Sequence, residues 1–358
     1  MGISPLGGRT TNCENPLAPD LDHILASTRE IWEHVRGKTI FITGGTGFIG
    51  TWLLESFTWA CDKLDLRARM KVLTRDFDSF KRNSPRLASH PALQFIQGDV
   101  RSFAWPRDSF DAVIHGAAQA SVEPNGENPL PMVQTITEGT QSVLELARNR
   151  GTRRFLFISS GAVYGKQPVH MGHVAESYSG GPDPLDPGSA YGEAKRLGEL
   201  LCSIYLGCYG IETVVARGFA FVGPYLNLDT HFAIGNFIRD GLNGGPIVVK
   251  GDGTPLRSYL YASELAIWLW VILFKGKAGS AYNVGSEQAV SISKTARAVA
   301  ACFDPPQQVT INEKKAPGLP AERYVPSTSK ARQELGLRQD IDFISAINKT
   351  IGWHRVKG

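Results

Sequence analysis

The sequence predicts an α/β protein built on a doubly wound parallel sheet, followed by a smaller lobe. Three observations carry that reading. Short β-rich runs alternate with helical patterns from Lys38 to about residue 216. Glycines cluster at the first strand–helix junction, and beyond residue 217 the elements become shorter and richer in Gly and Pro. Strands separated by helices pair in parallel, because each crossover returns the chain to the end of the sheet where the previous strand began.

Residues 1 to about 19, rich in Gly, Pro, Thr and Asn, read as a flexible arm. Asp20 to Arg36 reads as a helix that Asp20 caps, with Leu21, Ile24, Leu25, Ile31 and Val35 at helical spacing and Gly37 as its stop. Thr39–Thr43 is the first strand, and after a Gly-rich turn an apolar helix runs to about Ala60. Lys71–Thr74, Leu93–Ile96, Ala112–His115 and Phe155–Ser159 are further strands, with a helix near Pro131–Arg148. The predicted division is 1–37 as arm and helix, 38–216 as the sheet domain, and 217–358 as the lobe, some of whose segments return to the sheet. Leu265 to Phe274 is apolar throughout, but it is about half the roughly 20 residues that cross a bilayer, so it reads as a buried helix.

Composition narrows the function classes. With 358 residues, 42% of them hydrophobic, the chain can bury one large or two coupled cores. A net charge of +4 without any long Lys/Arg run argues against nucleic acid and suits a small anionic substrate. Cys13, Cys61, Cys202, Cys208 and Cys302 form no CxxC pair, so free thiols are expected rather than a zinc site or a disulfide framework. The first residues lack a basic region followed by an apolar run, so the reading is a cytoplasmic protein with no membrane partner and no metal.

Gly44, Gly47 and Gly50 recur at three-residue spacing between a strand and a helix. That turn lets backbone N–H groups, here including those of Phe48 and Ile49, approach a pyrophosphate at a helix N-terminus. The site expected is a Rossmann-type one for NAD or NADP. Thr74-Arg75-Asp76 ends the second strand. A neutral residue followed by Arg75 favours the 2′-phosphate of NADP, while Asp76 is placed to take the ribose. Asp99, beside Val100, is placed to accept a hydrogen bond from the adenine amino group. Tyr191 and Lys195 form a Tyr-x-x-x-Lys pair, which lies on one helix face. A neighbouring ammonium is expected to lower the tyrosine pKa for proton exchange at neutral pH. Ser160, at the end of a strand, completes the set with a hydroxyl for the reacting oxygen.

On these residues the chain resembles an extended short-chain dehydrogenase/reductase of the nucleotide-sugar epimerase/dehydratase group, from about residue 38 onwards. The resemblance implies catalytic roles for Ser160, Tyr191 and Lys195. It implies cofactor contacts from the three glycines and Asp99, and from Ala117 in the His115–Ala118 loop, where His115 itself reads as structural. In the same region Ser121 is a candidate substrate contact. Gly251–Arg257 resembles the family segment whose Arg pairs with the sugar-nucleotide diphosphate, and Arg323 resembles a second Arg near the nucleotide. Arg217 to Pro224 resembles the family's Arg-led segment ending in Gly-Pro. Ala220 and Ser258 depart from the family's usual Asn and Asp. Relatives commonly pair through two helices, so a homodimer is expected.

The scaffold supports several reactions. Many 4,6-dehydratases of the family carry an acidic residue or an Asp–Glu pair just after the catalytic Ser/Thr, and decarboxylases tend to carry a Glu. This chain has Gly161 and Ala162, which transfer no protons. The reading is redox chemistry at C4 of a nucleotide-diphosphate hexose, as a 4-keto reductase or a 4-epimerase. The alternative is a 4,6-dehydratase in which Glu193 or Glu176 substitutes. A non-catalytic nucleotide-binding protein is disfavoured by the intact Ser, Tyr and Lys.

Overall fold

The computed structural model describes residues 15–118, 128–230, 232–313 and 320–357. Six strands follow in order: β1 (Thr39–Thr43), β2 (Arg69–Thr74), β3 (Leu93–Gln97), β4 (Ala112–His115), β5 (Arg154–Ser160) and β6 (Glu212–Gly218). The later strand Ala281–Val284 returns to the same sheet beside β6. Across the sheet the order is Ala281–Val284, β6, β5, β4, β1, β2, β3, with all neighbours parallel. The order reverses between β1 and β4, and an α/β sheet opens a crevice at the carboxyl ends of its strands at such a point.

Both faces of this sheet are covered, which is why its strands read as continuous apolar runs. In β1, Phe41 joins Val113, Phe155 and Phe157 on one side, while Ile40 and Ile42 join Leu156 and Ile158 on the other. The helix Ala262–Lys275 carries the apolar run and is buried almost all round, Trp268 and Trp270 included. It packs against the sheet on one side and on the other against the N-terminal helices α1 (Ala18–Ser27) and α2 (Arg29–Val35) and α3 (Phe48–Leu64). No helix among the described residues is long and apolar enough to cross a membrane.

The N-terminal helix differs from its expected form. It starts two residues before Asp20 and is broken at Thr28, whose hydroxyl donates to Ile24 O (2.5 Å) and accepts from Trp32 Nε1 (2.9 Å). Asp20 is therefore not a cap. It is buried, and its carboxylate accepts from Tyr261 Oη (2.8 Å) and Lys349 Nζ (2.7 Å), which ties the extension to the lobe and to the last helix, Phe343–Lys357.

A second core lies in the lobe, where Ile234, Phe237 and Ile238 of the helix Ala233–Leu242 meet Val299 and Ala300 of the helix Ile292–Ala301. At its border the strand Leu256–Arg257 is the middle of three, between Val290–Ser291 and Arg323–Tyr324. Of these strands, Arg257 and Tyr324 line the crevice.

Candidate active site

A cleft of about 960 Å³ runs from the carboxyl ends of β1, β2 and β4 past β5 into the lobe. At one end the chain itself shapes it. Gly44 has φ +72°, and a Cβ there would lie 2.6 Å from the carbonyl carbon and oxygen of Gly116. A Cβ on Gly50 would lie 2.2 Å from Gly44 O, so only glycine lets α3 start this close to the turn. Gly47 precedes α3 with no side-chain cap, and the first turn holds no acidic residue. Gly44, Gly47, Phe48, Ile49 and Gly50 all line the cleft. An uncapped helix start against a glycine turn fits a pyrophosphate, so these residues fit a dinucleotide.

Around it, Arg75 is exposed at the end of β2 and lines the cleft. Asp76 does not: its Oδ1 accepts from Ser79 N (2.8 Å) and caps the short helix Phe77–Asn83. Asp99 and Val100 line the cleft. The Asp99 carboxylate accepts from the backbone N, Nε and Nη2 of Arg101, each at 2.9 Å, and those bonds hold its pKa down to about 2. Ala117 also lines it, with its N–H on Thr43 Oγ1 (3.2 Å). His115 bridges Thr43 (2.7 Å) and Thr140 (3.0 Å), and burial drops its pKa to about 3, so it is a neutral strut between β1, β4 and the helix Leu130–Asn149. Ser121 lies outside the described residues.

Ser160 ends β5 and heads the single turn Gly161–Tyr164, its Oγ accepting from Ala162 N at 3.2 Å. Tyr191 and Lys195 face it from the first turns of the helix Ala190–Tyr209, and all three line the cleft. Lys195 is buried and donates to Ile158 O at 2.7 Å. Burial lowers its pKa to about 8. One expectation is corrected here: the Tyr191 pKa is raised, not lowered. The phenol is desolvated and only the Ser160 hydrogen bond opposes the shift, because the ammonium is held on Ile158 O, 6.0 Å from the tyrosine ring centroid.

From the lobe, Arg257 lines the cleft. Arg323 does not, but its neighbour Tyr324 does. Successive residues of a strand point to opposite faces, so the expected arginine turns away where the tyrosine turns in. The Tyr324 hydroxyl lies 3.3 Å from Ser160 Oγ, with its ring on Phe219 at 4.7 Å. The sequence reading missed Tyr324; the period of two beside Arg323 was the available signal. Past Arg257 the cleft meets a second hollow of about 810 Å³, sharing Ala233, Pro255 and Ile292 with it.

Among the described lining residues Asp99 is the only carboxylate. The two candidate substitutes sit elsewhere: Glu176 Oε1 accepts from Asn283 N (2.7 Å), and Glu193 faces Arg196 at 3.6 Å.

Comparison with known proteins agrees with this architecture. The profile of the NAD dependent epimerase/dehydratase family matches residues 40–285. UDP-glucuronic acid decarboxylase 1 of Xenopus tropicalis is 32% identical over 89% of this chain and 72% of its own length. The dTDP-glucose 4,6-dehydratase of an Actinoplanes species is 29% identical over 88% and 97%. Among solved structures, dTDP-glucose 4,6-dehydratase from Streptomyces venezuelae, with NAD bound, superposes with a TM-score of 0.75 at 25% identity, covering 89% of this chain and 97% of that one. UDP-glucose 4-epimerase from Thermotoga maritima shares the fold at TM-score 0.75, 20% identity, 89% and 99% coverage. With its parallel sheet, glycine turn and Ser/Tyr/Lys set, the chain belongs to the NAD-dependent epimerase/dehydratase family of extended short-chain dehydrogenases/reductases.

Proposed function

We propose that this enzyme performs hydride chemistry at C4 of a nucleotide-diphosphate hexose, as a 4-keto reductase or 4-epimerase, without elimination or decarboxylation. The observation that carries this reading is the absence, among the described residues, of a free carboxylate beside Ser160. Moving the C5 proton needs a base that is ionised at neutral pH within hydrogen-bond reach, and burial holds the phenols beside Ser160, those of Tyr191 and Tyr324, protonated. Here a Cβ on Gly161 would already stand 2.7 Å from the Phe219 ring and 2.8 Å from Tyr324 Oη, so the position has no room for an acid. A uronic acid is also poorly served: the cations among the described lining residues are Arg75, Lys195 and Arg257.

When bound, a nicotinamide cofactor supplies or accepts the hydride. Tyr191 gives its proton to the C4 oxygen as that oxygen gains hydride and takes one back when hydride leaves, and burial, which raises its pKa, keeps the phenol protonated beforehand. Ser160 donates to the same oxygen. Lys195 holds the nicotinamide ribose, and Arg257 pairs with the diphosphate as a planar fork. On this reading residues 38–216 serve the cofactor and 217–358 the sugar nucleotide. The exposed Arg75 supports NADP, and with it the reductase. Exposed Leu197, Leu200 and Ile204, on one face of the helix Ala190–Tyr209, support a homodimer through that helix.

The test is a panel of UDP- and dTDP-hexoses without added cofactor, and of 4-keto-6-deoxy sugar nucleotides with NADPH or NADH. NADPH loss with one keto sugar establishes the reductase, and a C4 epimer without cofactor loss the epimerase. A 4-keto-6-deoxy product from a saturated hexose would overturn the proposal.

A further inference from the structure

The helix Ala190–Tyr209 carries Glu199 one turn beyond Lys195, on the face that holds Tyr191. Its carboxylate is nearly enclosed, with 14% of the side chain exposed. Oε1 accepts from Ser159 Oγ at 2.6 Å and from Arg217 Nε at 3.0 Å, while Oε2 accepts from Arg217 Nη2 at 2.6 Å. Arg217 is fixed in turn: its Nη1 donates to Tyr164 Oη at 2.8 Å, and Tyr164 donates to Asn283 Oδ1 at 2.7 Å. Lys195, Glu199 and Arg217 thus form a row of alternating charge under the floor of the cleft, joined to β5 through Ser159 and Ile158. None of these contacts reaches the reacting atoms.

We propose that Glu199 is a positioning residue that keeps Lys195 an ammonium ion in its buried place, with Arg217 and Ser159 fixing the carboxylate for that task. The proposal rests on the reading of Lys195 as a site residue. Lys195 is enclosed by Tyr191, Glu199 and Cys202 of its own helix, His115 of β4, and the Phe157 ring (4.9 Å) and Ile158 carbonyl of β5. His115 is neutral, and burial keeps the Tyr191 phenol and the Cys202 thiol protonated. Glu199, one helical turn from Lys195 on the same face, is thus the anion that offsets the burial of the ammonium, and it shares its charge with Arg217. A buried cation without a counter-ion gives up its proton instead.

The direct test titrates Lys195 by NMR in protein labelled with [ε-13C]lysine, with Lys195→Arg identifying the resonance. In Glu199→Gln the midpoint is expected to fall by at least about one pH unit. In Tyr164→Phe, which keeps every charge, it is expected to stay. If the single variant does not fold, Glu199→Gln/Arg217→Gln leaves no unpaired buried guanidinium and is expected to lower the midpoint in the same direction, by less than the single variant. Cofactor affinity, read by NADPH fluorescence, is expected to match wild type at pH 6 and to weaken earlier than wild type as pH rises. An unchanged midpoint in a folded Glu199 variant would overturn the proposal. The titration involves no sugar, so a failed C4 reaction leaves its outcome readable.

Discussion

At the glycine-turn end of the cleft the backbone does the shaping, through Gly44 against Gly116 and Gly50 against Gly44, whereas at the other end side chains do it, from Ser160, Tyr191, Arg257 and Tyr324. A backbone site leaves no choice of residue, since any Cβ would collide. A side-chain site can be rebuilt while the scaffold stays, and the relatives of this chain include enzymes named as decarboxylases and dehydratases. Damage at the first end should cost about as much in folding as in binding, and damage at the second should cost mainly turnover.

The largest effect is expected from Tyr191→Phe. Turnover falls by about 10³-fold, the share of a positioned acid/base, while cofactor binding by fluorescence titration changes little. Gly50→Ala is next, because its Cβ meets the carbonyl oxygen of Gly44 and not a flexible side chain. Urea unfolding is expected to show a loss of about 3 kcal/mol or more, with cofactor binding lost alongside. If Gly50→Ala were neutral in both, the contrast between the two ends would fail. Arg257→Met sharpens it from the other side. KM for the sugar nucleotide is expected to rise about 30-fold, as a lost charge-assisted pair implies, with the melting temperature and cofactor affinity unchanged.

The same contrast explains what the sequence made visible. The parallel strands and the buried Leu265–Phe274 run follow from local pattern, and the observed helix extends that run only to Ala262–Lys275. The glycine turn was legible because its spacing is a backbone requirement. Tyr324 was not, since Arg323 reads as the functional residue until the strand is seen to turn it away from the cleft. Asp20 and Asp76 share one kind of ambiguity: an Asp near a helix start can cap it, bind a ligand or pair at long range. Tertiary contacts decided, giving Asp20 to Tyr261 and Lys349, and Asp76 to Ser79. The pKa of Tyr191 depends on burial, which spacing alone does not report.

The central proposal is that no group among the described residues of this site moves the C5 proton. The most direct measurement runs the reaction in D2O and reads the product by NMR. C4 redox chemistry predicts a product with no solvent deuterium bound to carbon, whichever sugar is turned over. Deuterium at C5, appearing at the rate of turnover, would show proton transfer at that carbon and contradict the account.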